Sequence, residues 1–140
     1  MKPTDYLKAA GVGLAVMALT LAVSFPAVFV YGALDKSGPH DQAYFNHTAT
    51  FVAPWCSYVG GPILFFIFNW LLARRRPQRN ALLFAAATYV FYLLIDGGST
   101  VLFGMSLMEF FTVSTLISGL AKLAAALAGA WLGSRRKALA

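Results

Sequence analysis

The chain has 140 residues, 59% of them hydrophobic and only 11% charged, with a net charge of +6. A soluble domain of this size carries about 25% charged residues, so this chain lacks the polar surface needed to cover a water-soluble globule. Its mean hydropathy is +0.69. The basic residues gather at the ends of apolar segments, a pattern of membrane orientation and not of a nucleic-acid-binding face.

Four apolar stretches are each near the length of about 20 residues that a helix needs to cross hydrocarbon. The first runs from about Leu7 to Tyr31, behind Lys2 and Lys8. It is too long for the apolar core of a signal peptide and has no convincing small-x-small exit, so it reads as an anchor. A loop from Ala33 to Phe51 follows. Within it, the segment GPHDQAYFNHTATFV predicts a helix lying on the membrane surface, starting at Pro39 with Tyr44, Phe45, Thr48 and Phe51 on one side.

The second stretch runs from about Val52 to Ala73, and the third from about Ala81 to Leu102. Between them, RRRPQRN is short and holds Pro77, which predicts that these two spans are antiparallel neighbours. The sequence LFGMS then reads as a tight connection to a fourth stretch, from about Leu107 to Gly133. The expectation is a single all-α domain over residues 1–140, a four-helix membrane bundle running up-down-up-down.

Sidedness follows from the cations. Lys2 and Lys8 precede span one, Arg74, Arg75, Arg76 and Arg79 fill the second turn, and Arg135, Arg136 and Lys137 follow span four. The other two connections hold only Lys36, beside Asp35 and Asp41. The positive-inside rule then places both termini and the Arg-rich turn in the cytoplasm of a bacterial inner membrane.

The fourth span contains one anomaly, Lys122 in SGLAKLAAALAGAWLG. At about 100° per residue it shares a face with Thr115, Ser118, Gly119, Ala125, Ala126, Gly129 and Gly133. Leu116, Leu120, Leu123, Leu127 and Trp131 lie opposite. Membrane helices pack through small residues, because close backbone approach is what gains contact energy in lipid. Gly119, Ala126, Gly129 and Gly133 are therefore the expected packing positions, and Lys122 points into protein. It lies about 16 Å along the helix from Gly133 at 1.5 Å per residue, beyond the reach of a snorkelling amine. A lysine at that depth costs about 2.5 kcal/mol or more unless it is paired or solvated.

Asp96 is the acidic residue best placed to meet it, on a face of span three with Tyr89, Tyr92, Ser99 and Thr100. The pair is expected to interact directly, through Tyr92, or through water. Span one contributes Thr20 and Ser24, and span two contributes Tyr58, Pro62 and Asn69. Together with Ser118 and Thr115, these residues predict a polar slot through the bundle.

No span holds a histidine, Cys56 is the only cysteine, and neither a Ser-His-Asp set nor a Gly-rich phosphate loop is present. His40, Asp41 and His47 share a loop without the spacing of a metal motif. No metal or cofactor is expected. The sequence predicts a non-enzymatic membrane protein that self-associates or docks on a larger membrane partner, with a small homo-oligomeric transporter or channel for an anionic, zwitterionic or lipid-linked solute as the second reading.

Overall fold

A computed structural model describes residues 2–35, 41–76, 79–102, 104, 106, 108 and 111–135. Pro39, His40, Pro77, Glu109, Arg136 and Lys137 lie outside the described residues. The fold is all-helical: α1 (Pro3–Leu34), α2 (Gln42–Arg75), α3 (Ala81–Leu102) and α4 (Val113–Arg135). Each is long and apolar enough to cross a bilayer, as a membrane protein of four antiparallel passes requires. Large side chains such as Leu14, Phe25, Val90, Leu94 and Leu120 are exposed, which lipid accommodates and water does not.

The helices run around the bundle in the order α1, α2, α4, α3. This corrects the expected pairing of the second and third spans, because α2 and α3 stand across the diagonal despite their short connection. Residues Arg76 to Asn80 separate them. At about 3.3 Å per extended residue, these five cover a diagonal of about 13 Å in a bundle whose neighbours sit 8–10 Å apart. Side-chain size explains the arrangement. Phe65 of α2 is fully buried at the centre, edge-on to Tyr92 at 5.2 Å and to Tyr89 at 6.1 Å between ring centroids. Three aromatic rings hold the α2 and α3 backbones apart.

Between α2 and α4 the reverse holds. A Cβ added at Gly133 would sit 2.5 Å from the Trp70 carbonyl oxygen, and one at Gly129 would run into the Phe66 carbonyl. Ala126 and Ala130 fill the same seam with almost no exposure. Gly13 plays this part between α1 and α3, where a Cβ would approach the Tyr92 amide to 3.0 Å. Small residues thus fix which helices touch.

The outer-loop helix expected to lie on the membrane surface is instead the first part of α2. Asp41 caps it by accepting from the Tyr44 amide at 2.8 Å, and the 34-residue helix continues through Pro54 and Pro62, about 51 Å in all. The side that holds Tyr44, Phe45 and Thr48 is occupied by α1. Tyr44 donates to Asp35 at 2.7 Å, Phe45 packs on Phe29 and against Gly32, and Thr48 is buried. An apolar side covered by a neighbouring helix has no need of a membrane surface.

The fourth helix begins at Val113, later than the expected Leu107. Thr112 accepts from the Thr115 amide at 3.2 Å and so caps it. The connection from α3 is therefore longer than LFGMS, and Gly104 in it takes a left-handed φ of 79°.

Gly129→Leu should force α2 and α4 apart and lower the stability of the purified protein by about 1–3 kcal/mol. Leu120→Ala, on an exposed face, should change it far less. Thermal unfolding of both variants in detergent checks the contrast.

Candidate functional site

Lys122 is buried near the middle of α4. Its Nζ donates to Ser57 Oγ at 2.8 Å and to Tyr92 Oη at 3.0 Å. Three helices therefore meet at one ammonium: α4 supplies the cation, α2 the serine and α3 the phenol. The aliphatic stem crosses α2 at Gly61, where an added Cβ would lie 2.5 Å from Lys122 Cε. Gly61 is a clearance without which the amine does not reach its acceptors. Its position one turn below Ser57 and one turn above Phe65 places hydroxyl, gap and aromatic ring along one stripe of α2.

Asp96 lies one turn beyond Tyr92 on α3 and is half-buried. It forms no ion pair with Lys122; among the described residues the ion pairs are those of Asp5 with Arg76 and Arg79. Tyr92, one turn before Asp96 on the same helix, takes the hydrogen bond of the amine. The Asp96 carbonyl accepts from Ser99 at 2.7 Å and Thr100 at 2.9 Å, so these two hydroxyls serve their own helix.

The other expected slot residues divide in the same way. Thr20 donates to the Val16 carbonyl and Ser24 to the Thr20 carbonyl, each at 2.8 Å. Both hydroxyls of span one thus bond to the backbone of α1 and are not directed across the bundle. Tyr58 is half-buried, edge-on to Trp55 at 6.0 Å; its neighbour Ser57 meets the lysine. Thr115 shares a hydrogen bond with Thr112 at the helix start. Tyr89 places its hydroxyl against Gly119, where a Cβ would sit 2.6 Å away. Ser118 is buried with its Oγ unpartnered. Asn69 donates from Nδ2 to the Phe65 carbonyl at 2.8 Å, while its Oδ1 is buried without a partner.

Sequence reasoning missed Ser57 and Gly61. The available signal was their i, i+4, i+8 spacing with Phe65, which sets a polar group, a gap and a bulky residue on one stripe. It also missed that Asp5 is buried. Asp5 accepts from the Lys2 amide at 3.0 Å and faces Arg79 at 3.8 Å and Arg76 at 4.0 Å. Arg79, expected only as a topology determinant, is almost wholly covered; its guanidinium lies 3.3 Å over the Phe84 ring. Burial moves its pKa below the ordinary arginine value and Asp5 opposes that shift. The other topology cations among the described residues are exposed: Arg74 lies over Trp70 and Arg135 over Trp131, while Arg75 and Arg76 close α2.

Comparison with known proteins finds no matching family model, no similar curated protein and no similar solved structure.

Removing both acceptors in a Ser57→Ala, Tyr92→Phe double variant strands a buried ammonium and should cost about 2 kcal/mol or more. Lys122→Met, which removes the charge that needs them and keeps the volume, should cost less. Denaturant unfolding in detergent ranks the two variants, and the reverse order would remove the hydroxyl pair as the lysine's support.

Proposed function

We propose that this chain is a non-enzymatic subunit of the bacterial inner membrane, with both termini and the Arg-rich turn in the cytoplasm, acting by self-association or by docking on a larger membrane protein. One observation carries the reading. The charged group at the centre of the bundle spends its hydrogen bonds on Ser57 and Tyr92 and is packed against Gly61, an arrangement suited to holding helices in register. Buried polar groups retained for register and specificity are well attested in helical assemblies. The hydroxyls of Thr20, Ser24, Thr88, Ser99 and Thr100 likewise bond within their own helices, so few are left to receive a solute.

A small homo-oligomeric transporter is the second reading. It is favoured by Asp96, an intramembrane carboxylate outside the ion pairs among the described residues, and by the unpartnered Ser118 hydroxyl on the facing helix. Four helices are too few to enclose a wide path, so this reading needs copies of the chain to line it together.

Three experiments separate these readings and test the sidedness. Affinity purification from native membranes should bring down a larger membrane protein or a defined oligomer. Reconstituted protein should show no solute or proton flux that Asp96→Asn abolishes; such a flux would install the transport reading instead. In a Cys56→Ser background, an impermeant thiol reagent should label Thr50→Cys in intact spheroplasts and Ser134→Cys only in inverted vesicles. The opposite labelling would reverse the assigned topology.

A further inference from the structure

At the basic end, a cavity of about 500 Å³ opens between the start of α1, the end of α2 and the first turn of α3. Its polar wall is Lys8, Arg75, Arg76 and Arg79, and its apolar wall includes Val12, Leu72 and Phe84. The space exists for two reasons. Gly11 lines it, and a Cβ there would meet nothing within 4 Å. The α2 and α3 helices also stand on a diagonal, which leaves space between them at this end.

The charges in this wall are unbalanced. Among the described residues, these four cations have one carboxylate beside them, that of Asp5, which pairs with Arg79 and Arg76. Lys8 and Arg75 are exposed and form no ion pair among the described residues. The Arg79 side chain is more than nine-tenths buried, with Nη1 toward Asp5, Nη2 donating to the Leu72 carbonyl at 3.5 Å, and Nε left with no partner among the described residues. A guanidinium buried with an unused donor, beside three further cations, is the donor set that binds phosphate. The neighbouring apolar wall matches a phosphate carried on a hydrocarbon chain.

We propose that this cavity binds a phosphate anion, presented as the headgroup of an acidic phospholipid or as soluble phosphate. Arg79 and Arg76 form the inner contact, Lys8 and Arg75 close over it from the rim, and Leu72 and Val12 lie against the chain of a lipid. The site stands independently of whether the protein is a docked subunit or a transporter.

The full chain in detergent is titrated with phosphatidylglycerol, phosphatidylcholine or inorganic phosphate and followed by native mass spectrometry and thermal stabilisation. Phosphatidylglycerol should be retained and stabilising, with phosphatidylcholine inert. Stabilisation by phosphatidylglycerol alone assigns the lipid source, whereas stabilisation by inorganic phosphate as well assigns a soluble one. Lys8→Gln with Arg75→Gln, both on the exposed rim, should weaken the retained species by about tenfold. Arg135→Gln, a cation at the same end outside the cavity, should leave it unchanged. Equal retention of both lipids, no stabilisation by any probe, or equal weakening by Arg135→Gln would overturn the proposal.

Discussion

The Lys122 ammonium, held by the hydroxyls of Ser57 and Tyr92, is the constraint on which the interior depends. An unsolvated charge at mid-depth is tolerated only where polar atoms converge on it. Those atoms come from two other helices, so α2 and α3 must present Ser57 and Tyr92 at the same height. Vertical register is thereby set at one point. Gly61 is part of the same constraint, since any side chain there would occupy the path of the lysine stem.

Lateral arrangement is set by side-chain size. In lipid no hydrophobic force draws helices together, so contact area and close approach decide which surfaces meet. Gly129, Gly133 and Ala126 bring α4 onto α2, and Gly13 brings α1 onto α3. Phe65, Tyr89 and Tyr92 fill the centre with rings and set the diagonal distance. The same rings place the Tyr92 hydroxyl where the lysine can use it, which ties packing to the polar centre.

The two ends of the bundle are built differently. At one end, the start of α2 is tied to the end of α1 by Tyr44 and Phe45, with Thr48 buried beside them, a largely aromatic junction. At the other, cations dominate, and Asp5 with Arg79 makes a partly buried pair beneath an exposed rim of arginine and lysine. A positive, partly open end suits the anionic headgroup region of a bilayer. The division between a sealed centre and an open basic end separates what holds the fold from what can meet other molecules.

Four apolar helices and an inward-pointing Lys122 were legible in the sequence, because hydropathy and the 3.6-residue period act within one helix and need no neighbour. The small-residue face of α4 was legible for the same reason. Which helices pair was not. RRRPQRN fixes the length of a connection, yet the five residues from Arg76 to Asn80 reach a diagonal partner as easily as an adjacent one, and the choice falls to rings and glycines on separate helices. The lysine's acceptors were hidden likewise: Ser57 and Tyr58 are adjacent in the chain, and only the rotation of α2 about its axis decides which of them faces α4. Thr20 and Ser24 show the converse, since a hydroxyl on an inward face can still bond to its own backbone. The sequence alone therefore determined the elements and the presence of a buried charge, which are local properties. Partners, helix order and the basic cavity were decided by tertiary structure, because each depends on distances between residues far apart in the chain.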